Sequence, residues 1–185
     1  MNFTGATRKQ FDKPNNDDAF AVFGGDIAVL CDGAGNARSA AHKALASLQP
    51  PFANLGQIVN RLNTVMLGLG SESTLVAIQV TGDLLLEVSA GDSILMVYRD
   101  GTLHRLNHNT RRRLGSGAPE LCESRFSLNR YDVILLASDG LTLDKYRLTE
   151  TVKRYMLQPS DLPEAILSAQ RDASDDVTVV CGVNV

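Results

Sequence analysis

The chain has 185 residues, of which 44% are hydrophobic and 21% charged, and a net charge of -3. This suits a single globular domain over residues 1–185 with a core of its own, and the charge disfavours a general nucleic-acid binder. No apolar run approaches the roughly 20 residues that span a bilayer, and no leader pattern opens the chain, so a cytoplasmic protein with no membrane or nucleic-acid partner is expected.

In chain order, Asn16-Asp17-Asp18 leads into the apolar run Ala19-Phe20-Ala21-Val22-Phe23. Gly24-Gly25-Asp26 separates that run from Ile27-Ala28-Val29-Leu30-Cys31, a hairpin signal, and the second run stops at Asp32-Gly33-Ala34-Gly35. Two helices follow. Residues 38–48 are alanine-rich and end before Pro50-Pro51, and residues 55–69 carry Leu55, Ile58, Val59, Leu62, Val65, Met66 and Leu69 at helical spacing. Gly82-Asp83 then divides residues 74–80 from 84–88, and Asp100-Gly101 divides residues 94–98 from 102–106, two further hairpins with Gly91-Asp92-Ser93 between them. Residues 108–124 hold Arg111-Arg112-Arg113, two glycines and Pro119 with little periodicity, and read as a surface loop.

The next apolar run, Val133-Ile134-Leu135-Leu136-Ala137-Ser138, stops at Asp139-Gly140-Leu141. Thr149 can cap a helix to about residue 156, and Ser160 or Asp161 another through Pro163 and Glu164 to residue 170. Asp175-Asp176 precedes the last strand run, Val177-Thr178-Val179-Val180. Tight turns cannot join parallel strands, so the sheets are antiparallel. The order of strands, helix pair, strands, helix pair and strand suits an α+β fold in which helices cover sheet faces.

Cys31, Cys122 and Cys181 are odd in number and widely spaced, as reduced core thiols would be. His42, His104 and His108 are most simply surface or packing residues, and the arginine triplet a solvated loop. A lone Asp-Gly after a strand is ordinarily a turn. Several aspartates brought to one sheet rim differ, because they repel one another unless cations neutralise them, and an oxygen-only set suits hard ions such as Mg or Mn.

Taken in order, the segments around Asp17-Asp18, Asp32-Gly33, Gly91-Asp92-Ser93, Ser138-Asp139-Gly140 and Asp175-Asp176 resemble the signature elements of the metal-dependent serine/threonine protein phosphatases of the phosphatase 2C type. The resemblance covers nearly the whole chain and fits a small, bacterial-like member. It implies a four-layer α-β-β-α sandwich of two antiparallel sheets flanked by helix pairs. It also implies hydrolysis of phosphoserine and phosphothreonine by a hydroxide bridging two Mn or Mg ions. Asp32 would bridge the ions, the carbonyl of Gly33 would bind one, and Asp139 and Asp175 would hold the other. Asp17 and Asp18 would ligate directly and through water in one order or the other, and Asp92 would serve a third ion. Asp32, Asp139 and Asp175 are the catalytic set. The expected partner is a phosphorylated protein, with an opposing Ser/Thr kinase, and the chain itself is expected to be a monomer.

Departures from the pattern are local. The phosphate-binding arginine falls on Lys13, which keeps the charge but loses the planar fork, and Arg8 is a second candidate for that role. Ala34 replaces a histidine or methionine, Leu143 stands where an aspartate is usual with Asp144 one position late, and Asp176 replaces an asparagine. The segment beside the site is short, a trimmed flap that carries the arginine triplet and could attract acidic, phosphorylated substrate. These changes leave an alternative: a catalytically weak module that binds phosphoproteins or a partner kinase.

Overall fold

The computed structural model describes residues 1–34, 39–170 and 174–185; Gly35 and Arg38, which the sequence places in a turn and a helix start, lie outside the described residues. The first half runs β1 (Phe3–Arg8), β2 (Asp18–Phe23), β3 (Ile27–Ala34), α1 (Ala40–Ala46), α2 (Leu55–Leu69) and β4 (Glu72–Ser73). It continues through β5 (Leu75–Thr81), β6 (Leu84–Ala90), β7 (Ile94–Arg99) and β8 (Thr102–Arg105). The remainder is β9 (Cys122–Ser127), β10 (Val133–Ala137), α3 (Lys145–Tyr155), α4 (Leu162–Ala169) and β11 (Val177–Val183).

Two antiparallel sheets result, one in the order β1-β11-β10-β7-β8 and the other β2-β3-β5-β6-β9, with β4 paired to β3. The three hairpins form at the expected turns, where Gly24, Gly82 and Gly101 take the left-handed backbone that short hairpin turns require. Strand side chains alternate between two separate apolar layers. In β3, Ile27, Val29 and Cys31 face α1 and α2, while Ala28 and Leu30 face the other sheet. In β10, Val133, Leu135 and Ala137 face α3 and α4, while Ile134 and Leu136 meet the opposite sheet. Strands covered on both faces read as unbroken apolar runs, which is why these two stood out in the sequence. The product is the α-β-β-α sandwich.

Several boundaries differ from expectation. Helix α3 begins at Lys145, with the Asp144 side chain accepting from the Arg147 N–H at 2.9 Å, so Asp144 and not Thr149 caps it. The stretch 108–124 is only partly a surface loop: Cys122 starts an edge strand, and Leu114 is fully buried. Strand β1 was not legible because Gly5 and polar residues interrupt its apolar pattern. All three cysteines are free and buried, and the three histidines are exposed. Among the described residues no helix is long and apolar enough to cross a membrane.

Leu136 sits fully buried in the layer between the sheets. Leu136→Ala should cost about 2–5 kcal/mol through lost burial and a residual cavity. Urea unfolding would report this as a lower midpoint at unchanged slope.

Candidate metal centre

The strand ends bring three carboxylates together. Asp18 opens β2 and pairs in register with Asp32 of β3, across the first hairpin. Asp139 follows β10 of the other sheet and lies close enough to act on Asp32. Asp18 is 1% exposed, Asp32 is half-buried and Asp139 is exposed, so the group runs from a closed floor to an open rim.

Each anchor is fixed by neighbours that the sequence did not single out. The Ser138 hydroxyl donates to Asp18 Oδ2 at 2.7 Å and accepts from the Thr178 N–H at 2.9 Å, tying the two sheets together at the rim. Thr74 grips the backbone of Asp32 from both sides: its Oγ1 accepts from the Asp32 N–H at 3.1 Å, and its N–H donates to the Asp32 carbonyl at 2.9 Å. Ser73 adds a second hydrogen bond to that carbonyl at 3.0 Å. Gly33 donates its N–H to the Asp17 carbonyl at 3.2 Å, holding the acidic pair beside Asp32. A Cβ on Gly140 would stand 1.9 Å from the Asp176 carbonyl, so glycine after Asp139 is what lets that turn pack on the start of β11. Ser73, Thr74 and Ser138 are polar and buried at the ends of apolar strands, the one signal in the sequence that could have marked them.

Without a counter-cation this arrangement is electrostatically costly. Burial pushes the Asp32 carboxyl up to about 8, helped by the charges of Asp18 and Asp139, while Arg113 pulls the other way. Burial also pushes Asp18 up to about 6 against its hydrogen bonds from Ser138 and Thr178, with Asp176 and Asp175 adding repulsion. Crowded oxygen donors that resist ionisation are the chemistry a hard divalent cation relieves, so the buried pair Asp18 and Asp32 suits Mg or Mn in donor type and charge. The side chains are not gathered round a common point: among the described residues no three acidic, histidine or cysteine side chains are placed so as to hold one metal ion together.

The remaining candidates are engaged elsewhere. Lys13 Nζ contacts Asp175 Oδ1 closely and Asp176 Oδ2 at 3.3 Å, so neither Lys13 nor Asp175 is unpaired in this state. Burial works to raise the Asp175 pKa, but its bonds from Lys13 and the Asp176 N–H outweigh it and the net shift is down. Burial likewise works to lower the Lys13 pKa, and the two aspartates reverse it to a net rise. Asp176, 2% exposed, accepts from the Gln10 and Asp17 N–H groups, each at 2.8 Å. Its charge is therefore spent on shaping the 10–17 loop. Arg8 donates to the Gln170 carbonyl at 3.2 Å. The arginine triplet divides: Arg111 and Arg112 are exposed, whereas Arg113 turns inward to Asp92.

The family profile described as Stage II sporulation protein E (SpoIIE) matches residues 33–182. No curated protein sequence matches the chain. Among solved structures, the Ser-Thr phosphatase MsPP from Mycobacterium smegmatis, in complex with cacodylate, superposes with a TM-score of 0.80 at 24% identity, covering 100% of this chain and 98% of that one. PppA, a regulatory component of T6SS in Pseudomonas aeruginosa, superposes with a TM-score of 0.79 at 21% identity over 99% and 98%. The catalytic domain of the serine/threonine phosphatase PstP, in complex with two manganese ions, gives 0.76 at 22% over 98% and 97%. At these identities the superpositions establish a shared fold.

Proposed function

Because the chain belongs to the Stage II sporulation protein E family, within the phosphatase 2C type, we propose that it is a metal-dependent phosphatase that hydrolyses phosphoserine and phosphothreonine in proteins. The observation that carries this reading is the placing of Asp18, Asp32 and Asp139 at one rim of the two sheets, where burial disfavours the charged forms of Asp18 and Asp32 and the charges of Asp18 and Asp139 add to the effect on Asp32.

In this reading Asp18, Asp32 and Asp139, with the Gly33 carbonyl and Asp175, would hold two Mg or Mn ions, and Asp17 would support them through the backbone bond that it shares with Gly33. Bound divalent ions supply an acidified water and positive charge for the phosphoryl oxygens. The protein's part is positional. Thr74 and Ser73 fix Asp32, Ser138 fixes Asp18, and the exposed rim at Asp139 admits both water and a phosphorylated segment. Lys13 is a cation beside Asp175, and an ion taken up by Asp175 would free the Lys13 ammonium for substrate phosphate. Attack by water on phosphorus breaks the bond to the seryl or threonyl oxygen, which takes its proton from solvent at the open edge. No protein nucleophile is required, and Ala34 offers no acid in the place where a histidine is common. The substrate is a phosphorylated protein set against a Ser/Thr kinase.

The test is hydrolysis of para-nitrophenyl phosphate and a phosphothreonine peptide with Mn, with Mg and with chelator, alongside Asp139→Asn. Turnover that needs metal and disappears in the variant is expected. A folded chain with no turnover in either metal would defeat the enzyme reading. The engagement of Lys13 by Asp175 and Asp176 would then favour a module that binds phosphoproteins without hydrolysing them, and phosphopeptide binding unaffected by Asp139→Asn would identify it.

A further inference from the structure

Asp92 would be the ligand of a third ion if the phosphatase resemblance held at every position, but its carboxylate pairs with Arg113, and unlike the Lys13 ammonium at Asp175 this partner reaches both carboxylate oxygens. Arg113 Nη2 lies 3.1 Å from Asp92 Oδ1 and 3.0 Å from Asp92 Oδ2, so one donor nitrogen spans both oxygens that a cation would use. The pair is partly sheltered, with side-chain exposures of 29% for Arg113 and 35% for Asp92. A guanidinium carries one permanent positive charge and is not lost to chelators or to changes in pH.

Both partners are held in place by their backbones. On the Asp92 side, the Gly91 N–H donates to Thr110 Oγ1 at 2.7 Å and the Gly91 carbonyl accepts from the Thr110 N–H at 2.8 Å. Ser93 Oγ lies 2.6 Å from Thr74 Oγ1, the same hydroxyl that receives the Asp32 N–H. On the Arg113 side, Leu114 is fully buried and exchanges backbone hydrogen bonds with Ser73 at 2.9 and 3.1 Å. The next residue is clamped as well: Gly115 donates to Asn63 Oδ1 at 2.8 Å, and a Cβ there would meet the Ser71 carbonyl at 2.0 Å. The two charges are thus presented to each other by segments stitched to the Asp32 strand and its neighbours. The fixed backbones on both sides limit how far the two side chains can part.

From this geometry, and resting on the two-ion reading above, we infer that Arg113 is a tethered counter-cation that takes the place of a third metal ion at Asp92. The site then has a capacity of two ions, and the charge at its third corner comes from the chain itself whatever the metal supply. Arg113 is a positioning residue in this scheme. It acts through Asp92, and the trimmed segment that carries it serves as an internal strut.

Equilibrium dialysis with Mn, on the full chain, counts ions without reference to turnover. Wild type should saturate at two ions per chain. Arg113→Ala should gain a third, weaker ion, and Arg113→Ala combined with Asp92→Asn should return to two. Arg113→Lys, which keeps the charge, should stay at two. Arg113→Gln repeats the charge removal with a longer side chain in case alanine loosens the Leu114 clamp, and thermal melting checks that each variant is folded. A wild-type count of three, or folded Ala and Gln variants that both remain at two, would overturn the inference and leave the two-ion reading standing. A wild-type count of zero would sink both.

Discussion

Asp32→Asn is expected to lower kcat/KM for a phosphothreonine peptide in Mn by about a thousandfold or more. Asp32 is the middle member of the carboxylate group, feeling both Asp18 across the hairpin and Asp139 from the other sheet. Asparagine has nearly the same shape and keeps the backbone bonds to Thr74 and Ser73, so the substitution removes charge while leaving the strand end in place. Metal-based stabilisation of a phosphoryl transition state is worth several kcal/mol, and each 1.36 kcal/mol is a factor of ten in rate. If Asp32 holds the ions as proposed, loss of its charge should therefore show in kcat as well as in metal affinity. If the folded variant retains activity within tenfold of wild type at saturating Mn, Asp32 does not anchor the ions. Its Asp-Gly would then be ordinary structure, the part of β3 that pairs with β2 and β4.

That ordinary reading explains why so much of the fold could be read from the sequence and so little of the surroundings of the site. Strands such as β3 and β10 are covered on both faces, so their apolar runs were conspicuous, and each ended on an aspartate whose direction the strand fixes. The hairpins announced themselves through Gly-Asp and Asp-Gly turns. Helix α2 was legible to the residue because its buried face repeats at helical spacing, and the structure adds an Asn54 cap that accepts from the Gln57 N–H at 3.1 Å. The edge strands β1 and β9 were not legible: β1 carries polar and glycine residues on its half-buried positions, and β9 alternates buried and exposed residues weakly around charged side chains.

Within the site, what the sequence could not reveal was the pairing of charges, since that depends on which loops meet. Asp176 looked like extra negative charge beside the metals. Folding instead directs it to two backbone N–H groups and Lys13, where it builds the loop that presents Asp17. Arg111-Arg112-Arg113 looked like a single basic patch, but burial of Leu114 draws only the last arginine inward and leaves the first two in solvent. Three adjacent residues of one type acquire two different environments because a single apolar neighbour is pulled into the core.

The same crowding predicts an unusual dependence of stability on pH once metal is removed. In the native chain Asp32 is pushed up to about 8 and Asp18 to about 6, chiefly by burial, from an ordinary value of 3.8. Between the ordinary and the raised value the native state binds more protons than the unfolded chain, so stability is greatest below the lower value and is lost as pH rises through the higher one. Each carboxylate can contribute a slope of up to about 1.4 kcal/mol per pH unit. Urea unfolding in chelator should show stability falling from pH 5 to pH 8, more steeply below about 6, where both groups contribute, and flattening above about 8. This is opposite in sign to the behaviour of a salt-bridged carboxylate such as Asp175, whose lowered pKa gives stability that disappears as pH falls. Asp32→Asn should remove most of the fall between pH 6 and 8, leaving the metal-free variant more stable than wild type at pH 8 even though it is the less active protein. Added Mn should then reverse the ranking, because ligand binding to the native state stabilises only the chain that can hold it. A level profile for metal-free wild type across this range would mean that Asp18 and Asp32 ionise without mutual cost, removing the electrostatic reason for expecting a cation between the sheets.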